Sequence, residues 1–529
     1  MDKRSIVAIV LCFFIFLGWQ KLYLEPRVQG QKTNKTSNSE ITKDEGVKTV
    51  PESSHAIAKQ VQMKNLEPVQ KVEMNLHSSA LVLGSGASFL EAWHLNDYTL
   101  DKTQKDLKVD LLSVTNQVSN LMFDVDLAEF ANLSQVRGKF KKTEQGASLW
   151  TYEDDRIKMS RTIEEVEGAP YLNVRLKATF KKARPNFAYL SLFSKSLTDN
   201  REEVDRVLAY YTANKIERVE VRDIEENQMV NTGVKWIAAA NRYFTLAVVP
   251  QEGIIPRALI QPAGEHAGRA SLVFPVSSSE IEIPFRIYFG PKDLHQLRMV
   301  APSLDSLVDF GWFTFLAYPL LSGLKWLYSF LHNYGLAIIL LTIFLKLLTF
   351  PLNYKSMKSM KRMSALQPKL AALKEKYADD KEALNREMMV LMRTEGYNPV
   401  AGCLPMLLQI PVFFALYRVL YSSVELYQAP FMGWLQDLSV ADPFYITPVV
   451  LTLTMWVQQK LTPNTATDPA QQKMLQLMPL IFGAFMITLP SGLTVYMLTN
   501  MIVSILQQLF LNKKLGGSEK SALKPAQGT

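Results

Sequence analysis

Lys346 makes the clearest chemical demand in this sequence, because it lies in GLAIILLTIFLKLLTF (335–350), a stretch otherwise apolar enough to cross a bilayer. A lysine at the centre of a membrane helix costs about 2.5–3.5 kcal/mol on insertion scales, so its presence needs an explanation. Successive helical residues turn by about 100°, which puts Thr342, Lys346, Thr349 and Asn353 on one narrow face. Two readings stand. Either that face is wet and functional, or the ammonium snorkels along its own stem toward the chain's exit at Tyr354-Lys355, about 12 Å away. Further polar residues occur in later apolar stretches. Tyr496, Asn500 and Gln507 align within about 40° of helical arc, with Ser504 at the edge of that stripe. Gln409 lies between Pro405 and Pro411, and Gln476 opens another stretch. Interhelical hydrogen bonding accounts for any one of these. Lys346 is different, because the apolar stretches between 334 and 511 contain no Asp or Glu. Its counter-charge must come from water, lipid phosphate or a visiting acidic group.

Other chemistries find little support. The apolar stretches contain no histidine or aspartate, and neither an HExxH helix nor a Walker motif occurs, so an intramembrane protease or an ATPase lacks its parts. The two cysteines, Cys12 and Cys403, both fall inside apolar stretches, and His77, His94, His266 and His295 have no ligand spacing. The residues therefore imply no enzyme, cofactor or metal. A secondary transporter or channel is the alternative class, but it should show paired repeats, and no internal repeat is visible.

The elements that must position Lys346 follow from hydropathy. The chain has 529 residues, 48% of them hydrophobic, and a mean hydropathy of +0.01 that averages two unlike halves. Six spans are expected, giving a polytopic α-helical membrane protein. The first is an N-terminal anchor within 1–23, where IVAIVLCFFIFLGW follows Met1-Asp2-Lys3-Arg4; a signal peptide is the alternative, but no small-residue cleavage site follows. The others are 334–353, 400–421, 443–460, 474–490 and 492–511. The loop 354–398 carries ten Lys/Arg and the loop 422–442 none, so both termini, 354–398 and the basic tail 512–529 face the cytoplasm. The net charge of +8 then fits this topology and anionic lipid, with ribosomal nucleic acid a further partner and no sequence-specific nucleic-acid binding.

Residues 24–333 must then lie outside. A polar linker, 24–74, precedes a region of alternating runs such as YLNVRLKATF (171–180) and IEIPFRIYF (281–289), which predict a large antiparallel β-sandwich over 75–300. Residues 301–333 mix Trp312, Trp326, Tyr318 and Tyr328 with aliphatics and predict an interfacial amphipathic helix, a seventh span being the alternative. Within 354–398, two helical arms flank Ala378-Asp379-Asp380 and predict a cytoplasmic hairpin. Its basic face reads as solvated or lipid-apposed; its methionines suit packing or a variable apolar client.

The stretches NPVAGCLPMLLQIPVFFALYRVL (398–420), VELYQAPFMGWLQDLSVADPFY (424–445), TDPAQQKMLQLMPLIFGAFMITLPSGLTVYMLTN (467–500), WIAAANRYFTLAVVP (236–250) and YFGPKDLHQLRMVAPSLDSLVDFGW (288–312) resemble the YidC/Oxa/Albino family of membrane-protein insertases, in its Gram-negative form. The resemblance implies an inner-membrane protein with a periplasmic β-supersandwich before a five-helix core. It also implies a function: inserting and folding nascent membrane proteins, alone or with the Sec translocon and its accessory proteins, with the ribosome and the signal-recognition-particle receptor as further partners. The family's groove cation, usually arginine, corresponds here to Lys346. The family's slide for the client helix corresponds to the third and fifth spans and residues such as Met406, Gln409, Pro411, Gln476 and Met478. Tyr496 matches a groove-facing family position, whereas the neighbouring position, commonly aromatic, is Met497.

Overall fold

The computed structural model describes residues 71–522 apart from 76–78, 85–89, 102–103, 111–120, 128–129, 131–132, 134–135, 143–146, 196–205, 214, 252, 265, 378–379, 395–398 and 463–468. The expected anchor and most of the linker lie outside the described residues, as do Ala378-Asp379 of the hairpin turn and the end of the tail. The chain divides into two compact units, 1–307 and 308–529.

The first unit is β-rich, and among the described residues every strand pairing in it is antiparallel. Nine strands form its largest sheet, in the spatial order Lys215–Glu220, Val207–Thr212, Val234–Ala240, Phe244–Pro250, Glu280–Pro291, Leu172–Phe180, Ile157–Glu165, Ser148–Glu153 and Lys139–Lys142. A five-stranded sheet packs against it where Ala267–Pro275 and Phe187–Lys195 meet Val234–Ala240. A four-stranded sheet begins the unit, and its Trp93 ring lies 5.2 Å from Phe289 of the large sheet. Sequence alternation explains the burial. Leu172, Val174, Leu176, Ala178 and Phe180 point inward while Arg175 and Lys177 point to water. On that outer face Lys177 pairs with Glu280 at 3.0 Å and Arg175 with Glu282 at 3.4 Å, contacts of little energetic weight at such exposure. Phe244–Pro250 is buried at every residue because layers cover both its faces. The turn between Ser148–Glu153 and Ile157–Glu165 is organised by Asp154, which accepts from the backbone N–H of Arg156 and Ile157 and from the Arg156 guanidinium. Burial opposes ionisation there, but these donors outweigh it and hold the carboxyl at about 2.

A short helix, α1 (Leu294–Val300), closes the unit, capped by the Asp293 carboxylate accepting from His295 and Gln296 N–H, both at 2.9 Å.

The second unit is helical, comprising α2 (Thr314–Leu331), α3 (Tyr334–Lys376), α4 (Lys381–Thr394), α5 (Pro399–Ser422), α6 (Ile446–Leu461), α7 (Pro469–Met486) and α8 (Ser491–Ala522). Buried Ala317, Leu320, Leu321 and Leu324 form the packed side of α2, while Trp326 and Phe330, and Phe315 in its first turn, stay exposed. An apolar stripe that wide on the outside is what a lipid interface favours. The helix ends at His332, whose left-handed φ of 50° turns the chain, and Asn333 caps α3 by accepting from Leu336 N–H at 3.1 Å. Helix α3 runs for 43 residues through Pro351 and Pro368, so the apolar stretch and the first arm of the hairpin form one continuous helix. Among the described residues two helical segments, Tyr334–Ser359 and Ser491–Lys513, are long and apolar enough to cross a membrane, and Lys473–Met486 is a shorter apolar one.

Candidate hydrophilic groove

The polar stripes of α3 and α8 meet. Helix α3 packs along α8 and against α5, and a cavity of about 320 Å³ lies among α2, α3, α5 and α8. Its wall carries Thr342, Lys346, Thr349, Asn353, Gln409, Tyr496 and Asn500, with Leu316, Leu345, Leu348, Leu352 and Val412 as the apolar remainder. At about 30 Å³ per molecule this is room for roughly ten waters. Among the described residues, no acidic side chain is on that wall.

Lys346 is 8% exposed, and its Nζ donates to Ser504 Oγ across the helix pair at 2.8 Å. The ammonium is thus engaged sideways by a neighbouring helix. The threonines spend their protons locally: Thr342 Oγ1 donates to Ile338 O at 2.7 Å and Thr349 Oγ1 to Leu345 O at 2.9 Å. Their oxygens remain as acceptors. Gln507 Nε2 donates to the backbone carbonyl of Lys346 at 3.1 Å, and Asn353 Nδ2 approaches Gln507 Oε1 at 3.5 Å. Gln507 therefore braces the stripe without lining the cavity. On the opposite wall Gln409 Nε2 donates to the buried Tyr496 hydroxyl at 2.9 Å, joining α5 to α8.

Of the residues assigned to a client slide, Gln409 lines the cavity and Gln476, Met478 and Pro411 do not. Gln476 and Met478 are exposed on α7, away from the cavity, and Pro411 is half-buried on α5. Met406 falls within α5, but its side chain lies outside the described residues. Ser504 is the residue the polar pattern underweighted. It stands at the stripe's edge, one turn beyond Asn500, and the packing of α8 along α3 brings it to the Lys346 ammonium.

The loop before α6 fixes the start of both α6 and α8. Asp442, 1% exposed, accepts from Thr447 N at 2.7 Å, Thr447 Oγ1 at 2.8 Å, Phe444 N at 3.0 Å and Trp434 Nε1 at 3.1 Å. Burial pushes its carboxyl up, but those donors outweigh burial and hold it below the usual carboxylate value. Thr447 Oγ1 also bonds Thr494 Oγ1 at 3.0 Å, and Gly492 N donates to Leu438 O at 2.9 Å, which ties α8 to the same loop.

Comparison with known proteins accounts for both units. Residues 85–322 match the family described as the YidC periplasmic domain, and 326–518 match the 60Kd inner membrane protein family. A membrane protein insertase YidC from Geobacter metallireducens is 42% identical over 313 residues, covering 58% of this chain and 58% of that protein. A solved structure titled as an active YidC insertase with its first transmembrane domain resolved shares 18% identity, covering 83% of this chain and 92% of that one at a TM-score of 0.36. The membrane protein insertase YidC of Oleidesulfovibrio alaskensis aligns over nearly everything, 34% identical across 97% of this chain and 99% of its own length. An alignment of that extent takes in the β-rich unit and the helical unit together, and the chain belongs to the YidC family of membrane-protein insertases.

Proposed function

We propose that this chain is a membrane-protein insertase and chaperone of the bacterial inner membrane, acting through a positively charged hydrophilic groove open to the cytoplasm and to lipid. The observation that carries the reading is a lysine, 8% exposed, on the wall of a cavity it shares with Thr342, Asn353, Gln409 and Asn500, with no acidic side chain among the described residues that line it. Such a charge is tolerated only where water or a visiting anion offsets its desolvation cost. A short polar, often acidic, segment of a nascent membrane protein enters the groove, where water and Lys346 replace part of its lost hydration. The client's apolar helix then leaves sideways along α5 and α7, with Met406, Pro411, Gln476 and Met478 on its path. Outward release of negative charge is aided by the membrane potential, about 2.3 kcal/mol per charge per 100 mV. No covalent step is involved.

In this reading six spans cross the membrane, with both termini, the hairpin of α3 and α4, and the tail in the cytoplasm. The β-rich unit and the loop 422–442 lie in the periplasm, and α2 lies along the outer interface. Partners are nascent membrane proteins, lipids, the Sec translocon with its accessory proteins, and the ribosome and signal-recognition-particle receptor on the basic cytoplasmic side. Purified protein in protein-free liposomes tests the proposal. Protease-protected insertion of a single-span client without solute flux is the expected result; flux of small solutes without client insertion would replace it with a transporter or channel.

A further inference from the structure

The geometry points to Ser504 as a positioning residue that tethers the Lys346 ammonium to α8 from behind the cavity wall, so that its remaining donors serve an acidic client. This rests on the groove reading above and adds a determinant of client selectivity to it. Lys346 and Asn500 are on the wall, whereas Ser504 is not, yet Lys346 Nζ donates to Ser504 Oγ at 2.8 Å. An ammonium has only donors, so the hydroxyl must accept, and its own proton goes to Asn500 O, 2.7 Å away. A hydroxyl that donates to a carbonyl is polarised into a better acceptor, so the three groups form a directed chain from Lys346 to the α8 backbone. Three residues further along α8, Gln507 holds the Lys346 carbonyl at 3.1 Å. One helix thereby fixes both the backbone and the charged tip of the same residue.

The choice of a neutral partner matters. Ser504 occupies one of three ammonium donors without cancelling the charge, whereas a carboxylate at that position would neutralise it behind the wall. The tether also restricts a flexible four-carbon stem, which the rigid guanidinium fork of an arginine would need less.

The test measures the ratio of insertion of two clients that differ only in Glu against Gln in the external segment, using the full chain in liposomes. Ser504→Asp is expected to lower the acidic-to-neutral ratio on the order of tenfold or more, because its carboxylate cancels the charge of the ammonium. Ser504→Ala should lower it severalfold, and Ser504→Thr, which keeps the hydroxyl, should restore it. In a Lys346→Met background Ser504→Ala should leave the ratio unchanged, because the tether then has nothing to hold. An unchanged ratio in Ser504→Asp, or in Ser504→Ala should the aspartate variant not accumulate, while Lys346→Met lowers it, overturns the tether alone. A Ser504→Ala effect that persists in the Lys346→Met background also overturns it, because the role is then packing. An unchanged ratio in Lys346→Met itself overturns the groove reading on which the tether depends.

Discussion

Replacing Lys346 by Arg, Ala or Glu separates a charge in a wet groove from a lysine that is merely tolerated. At about 4 Å and an effective dielectric near 20, an ammonium attracts a carboxylate by about 4 kcal/mol, and in bulk water by about 1. The cavity has polar side chains on three helices and room for roughly ten waters, while Lys346 itself is 8% exposed. The relevant figure lies between those limits, about 2 kcal/mol, or roughly thirtyfold. Lys346→Ala should therefore slow insertion of a client with an acidic external segment by about that factor. Lys346→Glu inverts the sign and doubles the free-energy change, to roughly a thousandfold, which is loss of detectable insertion. Lys346→Arg keeps the charge and should stay within about threefold. The assay is protease-protected client per reconstituted vesicle, with insertase amounts matched and a neutral client as reference. Equal insertion of acidic and neutral clients by all three variants would refute the reasoning, because Lys346 would then carry no electrostatic role.

Three further outcomes follow from other parts of the molecule. Asp154, held at about 2 in the folded chain against 3.8 otherwise, contributes about 2 kcal/mol that is fully present above pH 3.8 and is lost as pH falls through about 2. Urea unfolding of the β-rich unit in Asp154→Asn should show that deficit at pH 7 and a smaller one at pH 3; a deficit independent of pH would contradict it. A Cβ at Gly483 would stand 1.8 Å from Thr452 Oγ1, so Gly483→Ala should destabilise the contact between α6 and α7 by about 1–3 kcal/mol, with Thr452→Ala restoring part of it; equal thermal stability of wild type and Gly483→Ala would count against that packing. For topology, Met432 and Lys358 are both exposed, and an impermeant thiol reagent on intact spheroplasts should label Met432→Cys but not Lys358→Cys, the reverse pattern overturning the orientation.

The sequence by itself determined the class of each half and the line of polar residues, because both are local periodicities. Alternation at period two reports strands such as Leu172–Phe180, and the 100° helical turn collects Thr342, Lys346, Thr349 and Asn353 without reference to any neighbour. The lysine's lack of a carboxylate partner among the apolar stretches was equally legible, since absence of a residue type needs no coordinates. Long stretches of family-like residues carried the rest of the functional expectation.

Tertiary structure decided what no one-dimensional pattern contains. The order of nine strands in the large sheet, which places Leu172–Phe180 beside Glu280–Pro291, depends on pairings between segments a hundred residues apart. The continuity of α3 through Pro351 depends on packing against α5 and α8 that offsets the lost backbone bond. The direction taken by the Lys346 ammonium is the sharpest case. Its stem can reach either toward the helix exit or across to α8, and the sequence treats both as equal. The crossing of α3 and α8 brings Ser504 within 2.8 Å, and a buried ammonium goes where a hydrogen-bond acceptor is, because leaving it unsatisfied would cost more than the rotamer freedom it surrenders.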